Sequence, residues 1–254
     1  MNSIKRISRK VEMGIELSRK RRSRIKQQSV SVHDKFEQVE WISYHIPKTA
    51  GTSLRVAFEQ IFKKKQIKLC YKDSFSKEMS KGFPVWCSSN IRMIHGHFKV
   101  HPNHNLIYPN AKKIIWLRQP AERAWSMVNH WVRMGNFPEP ALKLIKEKPC
   151  LVEDIEKLFM TLLIEPRLNA SFAIYDSYLK HANPSDFYFI GNSDIFSDDL
   201  KRLSSMLGNE VIEPKVNQAR GGTSITELAN KKFNEYFPNE FLVFERFINF
   251  NLPK

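Results

Sequence analysis

The segment from residue 39 to residue 61 constrains the fold of this chain more than any other. Residues 39–46 form an apolar run of strand length, and a helix is predicted to end at Ile61. Between them lies a short stretch of small and polar residues around Gly51. A strand, a tight loop and a helix in this order are typical of α/β folds, and open α/β sheets bind ligands at such loops.

The rest of the chain continues this alternation of strands and helices. We predict three further strands, at residues 91–95, 113–117 and 187–190. We predict six further helices, at residues 120–132, 151–163, 170–179, 196–207, 225–237 and 241–250, the last two separated by Pro238. The predicted fold is therefore α/β, with a P-loop-like parallel sheet flanked by helices.

The length and composition suit one folded domain. The chain has 254 residues, 42% of them apolar, which is enough for one sizeable core and only marginally enough for two. Residues 1–38 are basic and have few apolar neighbours, so we predict a flexible N-terminal extension there. Residues 39–254 are predicted to form a single folded domain.

The chain is strongly basic. It carries a net charge of +15, of which the first 40 residues contribute eleven Lys and Arg against five Asp and Glu. The folded part is therefore basic as well as the extension. Such an excess of positive charge raises the local concentration of anionic partners. Nucleic acid, an anionic membrane, an acidic glycan and a phosphorylated nucleotide all fit it, and charge alone does not choose between them.

The cysteines and the lengths of the apolar runs indicate the cellular compartment in which we expect the protein. Three cysteines without CxxC spacing argue against a thiolate zinc site or a redox pair. No apolar run approaches the ~18–20 residues of a membrane-spanning helix, and no apolar segment follows the basic N-terminus as in a secretory signal. We expect a cytoplasmic protein. The basic extension is either solvated or makes a peripheral contact with a membrane or a glycan.

Residues 45–53, here called the Lys48 loop, have the composition of a phosphate-binding loop. Gly51 permits a close backbone approach, and the following helix directs N–H groups and a partial positive charge at the loop. Lys48 adds a full charge, and hydroxyl donors come from Thr49, Thr52 and Ser53. The order of residues is not that of a Walker A loop, in which Lys follows the second Gly. A plain strand–turn–helix connection is the alternative.

A second anion site is predicted after the strand at residues 113–117. Arg118 ends that strand, and Ser126 lies almost two helical turns after the helix begins. A guanidinium offers a planar fork of donors that suits a phosphate group. The alternative is an ordinary surface ion pair between Arg118 and Glu122.

Four histidines lie within ten residues: His95, His97, His101 and His104. They suggest either a metal site or a general base. No acidic or cysteine ligand lies nearby and the spacing is loose for zinc, so no metal is predicted. A histidine near neutral pH is suited to remove a proton from an attacking hydroxyl.

These three motifs together resemble a known family. The segment HIPKTAGTSL at residues 45–54 resembles the 5′-phosphosulfate loop of carbohydrate sulfotransferases related to heparan sulfate 2-O-sulfotransferase. The spacing of Arg118 and Ser126 resembles the 3′-phosphate site of that family. The His-Gly-His pattern resembles its catalytic strand end, in which His97 matches the base and His95 assists.

The resemblance implies an activity. The family transfers a sulfuryl group from 3′-phosphoadenosine 5′-phosphosulfate (PAPS) to a carbohydrate hydroxyl without a metal. Lys48 would contact the transferring group, and Lys48, Thr49, Ala50, Gly51, Thr52 and Ser53 would bind the donor. Arg220, in a loop at residues 215–223, would meet the 3′-phosphate. Gly96 between the two histidines would leave room for a sugar.

Two other classes of function stay open on the sequence. One is an atypical nucleotide-dependent kinase, which would require magnesium. The other is a non-catalytic binder of acidic glycan or nucleic acid, for which the positive charge alone would suffice. The partner expected from the resemblance is a carbohydrate or glycolipid acceptor rather than a nucleic acid, and neither the sugar nor the oligomeric state is indicated.

Overall fold

The computed structural model of the protein describes residues 31, 34–71, 74–214 and 224–251. Its centre is a five-stranded sheet in the order β2-β3-β1-β4-β5, in which all neighbouring strands are parallel. The strands are β1 (Trp41–Tyr44), β2 (Ile67–Cys70), β3 (Met93–Gly96), β4 (Lys112–Leu117) and β5 (Phe189–Asn192). The predicted α/β class, with a parallel sheet flanked by helices, is confirmed.

Helices connect and cover the strands. The first five are α1 (Gly51–Ile61), α2 (Ser74–Ser80), α3 (His104–Ile107), α4 (Pro120–Met134) and α5 (Glu139–Glu147). The next three are α6 (Ile155–Leu163), α7 (Asn169–Phe172) and α8 (Ile174–Leu179). The last three are α9 (Phe196–Leu207), α10 (Glu227–Tyr236) and α11 (Pro238–Ile248). None of the helices in the described ranges is long and apolar enough to cross a membrane.

Different helices cover the two faces of the sheet. Alternate residues of a strand point to opposite faces, and β1 follows this rule. Ile42 and Tyr44 pack in a buried cluster with residues of α8 and α11. Trp41 packs on the other face, in a cluster with residues of α1 and α9. A third apolar cluster joins α4, α6 and α10.

The strand order creates a ligand-binding crevice. β1 lies between β3 and β4. The chain passes from β1 to β2 on one side of β1, and from β4 to β5 on the other side. The carboxyl ends of β1 and β4 therefore flank a topological switch point, where open α/β sheets bind ligands. The Lys48 loop follows β1 and Arg118 follows β4, so the fold places the two predicted anion sites side by side.

Several predicted element boundaries were wrong. β2, α2, α3 and α5 were not predicted, and the strand predicted at residues 187–190 begins two residues later. The helix predicted at 151–163 begins only after Asp154, whose carboxylate accepts the backbone N–H of Lys157 at 3.0 Å and so caps α6. The helix predicted at 170–179 is interrupted at Ala173, which separates α7 from α8. The two predicted C-terminal helices do form and divide at Pro238, which is the first residue of the second helix, where its missing N–H has no cost.

The described residues nearest the N-terminus pack on the domain. Phe36 is buried in the cluster that covers the β1 face with Ile42, and its N–H donates to the carbonyl of Ile107 at 2.8 Å. The amide of Asn110 donates to the carbonyl of Glu37 at 3.0 Å. Residues 1–30 lie outside the described part of the chain, and the predicted division at residue 38 stays a prediction.

Candidate active site

The Lys48 loop turns through two left-handed residues. Lys48 has φ of 74° and Ala50 has φ of 62°, a region that side chains with a Cβ adopt only when the surroundings enforce it. Thr49 lies between them, fully buried, and its hydroxyl donates to the carbonyl of Ile46 at 2.9 Å. That hydroxyl closes the loop internally. The hydroxyl proton of Thr49 therefore already has a partner within the loop, and the role of Thr49 in binding the donor stays a prediction.

The loop ends at the N-terminus of α1. Ala50 occupies the capping position and offers no side-chain acceptor to the first turn. The first N–H groups of a helix have no partner within the helix and need one from elsewhere. Thr52 is exposed and Ser53 is half-buried, and both belong to the first turn of α1. A helix start of this kind favours a bound anion.

Gly51 is required by a neighbouring ring. A Cβ placed on Gly51 would lie 1.8 Å from Nε2 of His45. His45 follows β1 directly and is buried. Its imidazole therefore lies flat against the first residue of α1, at a distance that only glycine permits.

Lys48 is surrounded by positive charge. Its pKa is lowered, first by partial burial and then by the guanidinium groups of Arg133 and Arg118. No carboxylate among the described residues forms an ion pair with Lys48. Three cations thus converge on the crevice, and an anion bound there would relieve their mutual repulsion.

Arg118 lies where β4 passes into α4. Its Nη2 is 3.1 Å from Oε2 of Glu122, so the surface ion pair considered as the alternative does form. Both side chains are about 30% exposed, at 29% and 32%, and the guanidinium keeps further donors for a ligand. Ser126 lies one helical turn beyond Glu122 on the same face and is half-buried.

Gln119 caps α4. Its side-chain oxygen accepts the backbone N–H of Glu122 at 2.8 Å, and its side-chain nitrogen donates to Asn230 at 3.2 Å. Pro120 then occupies the first helical position, where a missing N–H has no cost. The start of α4 is therefore fixed by the Gln119 side chain, while the backbone N–H of Gln119 donates to the carboxylate of Asp194 at 3.3 Å.

A buried histidine lies at the end of β3. His95 pairs with Ser43 in the register of β3 and β1, and its Nδ1 lies 2.9 Å from the hydroxyl of Ser43. The side chain is fully buried. Burial, and then the charge of nearby His97, lower the pKa of His95 to about 3. His95 is therefore neutral at physiological pH and lies behind the site.

His97, two residues after His95, lies at the centre of an aromatic cluster. Its ring centroid is 4.3 Å from that of His45 and 4.8 Å from that of Tyr71. The backbone N–H of His97 donates to the carbonyl of Cys70 at 2.8 Å, and its carbonyl accepts the hydroxyl of Ser76. His97 is half-buried, so it is the more accessible of the two predicted catalytic histidines.

Gly96 serves packing within the sheet. A Cβ at Gly96 would lie 1.8 Å from the backbone oxygen of Cys70. The space that a side chain would occupy is therefore filled by the end of β2. The expectation that Gly96 leaves room for a sugar is wrong.

The other two histidines have separate positions. Nδ1 of His104 lies 2.8 Å from the hydroxyl of Tyr44, and Nε2 lies 2.9 Å from the carbonyl of Met79. Both ring nitrogens of His104 are thus engaged in the core. His101 contacts the rings of His104 and His181. Among the described residues, no three His, Cys, Asp or Glu side chains are grouped to hold a metal ion.

The structure brings most of the predicted site residues to one edge of the sheet. Arg220 and the loop at residues 215–223 lie outside the described part of the chain. Sequence reasoning missed His45, Tyr71 and Arg133. His45 and Tyr71 each directly follow a strand. A strand was predicted at the position of β1, so this signal was available for His45. It was not available for Tyr71, because β2 was not predicted. Arg133 lies seven residues after Ser126, the spacing that returns to the same helix face.

No protein-family model matches the chain, and no curated protein matches it. Among solved structures, it is similar to a sulfotransferase from Alicyclobacillus acidocaldarius, with a TM-score of 0.43 and 12% identity over 83% of this chain and 96% of that one. It is also similar to mouse sulfotransferase SULT7A1 complexed with PAP, with a TM-score of 0.45 and 17% identity over 84% of this chain and 88% of that one. At these scores and identities, the likeness assigns no family, activity or residue role to this chain.

Proposed function

We propose that the protein is a sulfotransferase that moves a sulfuryl group from PAPS to a carbohydrate hydroxyl. One observation supports this most strongly. An uncapped helix start, three converging cations and a histidine cluster meet at the switch point of a parallel sheet. Such a site offers donors to a doubly phosphorylated nucleotide on one side and a proton acceptor on the other.

The 5′ end of the donor is assigned to the Lys48 loop. The N–H groups at the start of α1, with the hydroxyls of Thr52 and Ser53, suit the oxygens of the phosphosulfate. Lys48 has a left-handed backbone conformation, and the guanidinium groups of Arg118 and Arg133 lie near enough to its ammonium to lower its pKa. Its ammonium would offset the charge that develops on the leaving oxygen.

The 3′-phosphate is assigned to Arg118 and Ser126. The two residues lie on one face of the start of α4, and the guanidinium provides paired donors. Glu122 occupies part of the guanidinium at 3.1 Å. Because that carboxylate would oppose an anion, we expect Arg118 to shift its donors toward the phosphate when the nucleotide binds.

The chemistry follows from these positions. The acceptor oxygen attacks sulfur in line, and the bond between sulfur and the bridging oxygen of the 5′-phosphate breaks. His97 takes the proton of the acceptor hydroxyl as the new oxygen–sulfur bond forms. The leaving group is 3′,5′-adenosine bisphosphate (PAP), and Lys48 and the loop amides meet its charge. His95, buried behind, stays neutral, and the hydroxyl of Ser43 fixes the orientation of its ring.

A kinase reaction fits the site less well. Magnesium in nucleotide sites is held by carboxylate or hydroxyl ligands near the phosphates. The end of β4 instead presents Arg118. The nearby carboxylate of Glu122 is paired with Arg118, and that of Asp194 accepts the backbone N–H of Gln119 at 3.3 Å. The comparison that separates the two is thermal protection by PAP and by ATP, each with and without magnesium. PAP alone should raise the melting temperature, whereas protection by Mg-ATP only would favour the kinase.

The carbohydrate acceptor is the finer part of the proposal, and it has its own test. Labelled sulfate transfer across a panel of uronic acid, hexosamine, neutral sugar and glycolipid acceptors identifies the class, and the sulfated position in the product identifies the hydroxyl. Transfer to a small phenol or to a protein, but to no sugar, would contradict a carbohydrate acceptor while leaving sulfuryl transfer intact.

A further inference from the structure

The end of β4 is held by a side chain from a distant helix. The hydroxyl of Tyr175, in α8, accepts a hydrogen bond from the backbone N–H of Arg118 at 2.9 Å and donates one to the carbonyl of the same residue. Tyr175 is fully buried, and burial raises the pKa of its hydroxyl. The hydroxyl therefore keeps its proton throughout the working pH range, and one side-chain oxygen satisfies both backbone polar groups of Arg118.

Tyr175 is itself fixed by a carboxylate. Glu240, on α11, is only 1% exposed. It accepts the backbone N–H groups of Ile174, Tyr175 and Asp176 at 2.9, 2.8 and 2.9 Å. These amides form the first turn of α8, where a negative charge is stabilised. A continuous set of buried hydrogen bonds thus leads from α11 through α8 to the end of β4.

We propose that Tyr175 is a positioning residue that fixes the direction in which Arg118 presents its guanidinium to the 3′-phosphate. This inference rests on the proposed function. Arg118 is the last residue before the Gln119 cap of α4, so its backbone determines where the side chain leaves the sheet. Tyr175 holds that backbone at both polar groups, so the start of the side chain stays in place while the guanidinium turns from Glu122 toward the phosphate. A backbone that is already fixed has little freedom to lose when the guanidinium binds an anion.

The test uses a variant that removes one oxygen and a matched control. Tyr175→Phe keeps the ring and deletes the hydroxyl. Tyr178→Phe makes the same change on the same helix, where the hydroxyl has no hydrogen bond with any described residue. Tyr175→Phe should weaken PAP binding roughly tenfold and change 5′-AMP binding by less than about twofold. Tyr178→Phe should leave both affinities near the wild-type values.

A double variant separates positioning from a merely structural role. In an Arg118→Ala background, Tyr175→Phe should lower the melting temperature but have no further effect on PAP affinity, because its effect passes through Arg118. Additive losses of PAP affinity would overturn the inference. If Tyr175→Phe does not fold, Glu240→Gln tests the preceding contact: one acceptor oxygen becomes an N–H donor that faces the amides of α8, which should displace Tyr175 and weaken PAP more than 5′-AMP.

Different results would contradict the proposed donor site and the positioning role of Tyr175. If the wild-type protein binds PAP no better than 5′-AMP, the proposed donor site is wrong. If the wild type discriminates between them and Tyr175→Phe discriminates equally well, the donor site stands and the positioning role of Tyr175 is wrong.

Discussion

The ring of His45 lies 4.3 Å from the ring of His97, measured between centroids, while its Nε2 faces Gly51 so closely that no Cβ fits there. His45 therefore contacts both the candidate base and the first residue of the helix that faces the donor. The pKa of His45 is well below its usual value, mainly because of burial and then because of His95 and His97. The neutral ring of His45 therefore lies between the candidate base and the helix that faces the donor, and adds no charge to the site.

This contact gives a prediction for Gly51. Gly51→Ala should lower the melting temperature by at least about 4 °C, because the added methyl group overlaps the His45 ring. Adding His45→Ala should recover much of that loss by removing the ring. If Gly51→Ala costs the same in both backgrounds, as measured by thermal denaturation, the ring does not limit the space at Gly51.

His97 is predicted to act as the general base. His97→Ala should reduce kcat by about 10²–10⁴-fold, the usual contribution of proton transfer, and leave PAP affinity nearly unchanged. His101→Ala is the control, because His101 lies in the neighbouring histidine group with His104 and His181. Chelators should not reduce activity. Inactivation by a chelator, with recovery on adding zinc, would replace the base by a metal site, and a requirement for His95 alone would move the base to that residue.

Lys48 is predicted to stabilise the leaving group. Lys48→Ala should lower kcat by at least about 10²-fold while the protein stays folded, because a preorganised charge at the reacting centre is lost. Lys201→Ala is a control that removes one positive charge from a side chain that is 79% exposed on α9. Similar turnover in the two variants would show that Lys48 acts only through the net charge of the protein.

Arg118 is predicted to read the 3′-phosphate. Arg118→Ala should weaken PAP by about 1.5–3 kcal/mol, which is roughly 10- to 150-fold, and weaken 5′-AMP much less. Calorimetric titration of both nucleotides measures the difference. Equal losses for PAP and 5′-AMP would place Arg118 away from the 3′ position.

The buried histidines predict how stability depends on pH. Burial is the main cause that lowers the pKa of His95 to about 3 and of His104 to about 4. In the unfolded chain both return to about 6.5. Between these values the unfolded chain binds more protons, so the free energy of unfolding falls as the pH falls below about 6.5. Thermal denaturation between about pH 8 and pH 4 should show this decline, with a smaller slope in His104→Gln. A melting temperature that rises on acidification in this window would contradict it.

Local sequence signals were sufficient for the main strands and for the position of the Lys48 loop between β1 and α1. The apolar run before the Lys48 loop and the run ending in Arg118 each predicted a strand, and Pro120 predicted the start of α4. β2 was missed because its four residues, Ile67–Cys70, follow consecutive lysines and lie at the edge of the sheet, where alternation is weak. Short edge strands depend on pairing with distant residues more than on their own composition.

The cluster around His97 could not be predicted from the spacing of its residues along the chain. His45 and His97 meet because β1 and β3 are adjacent and parallel. Tyr71 joins them because β2 pairs with β3. Strand order is a property of the whole fold, so residues that directly follow separate strands are brought together only once that order is known. The hydrogen bonds between the Tyr175 hydroxyl and the backbone of Arg118 depend in the same way on where α8 packs.

The most direct test of the central claim is the transfer of labelled sulfate from PAPS to a glycan acceptor, measured in the presence of a chelator for wild type, Lys48→Ala and His97→Ala. We expect the wild type to form a sulfated sugar and PAP in equal amounts, and the two variants to show severe loss of both products. No transfer to any acceptor by a folded wild-type protein that binds PAP, or equal transfer by all three proteins, would contradict the central claim.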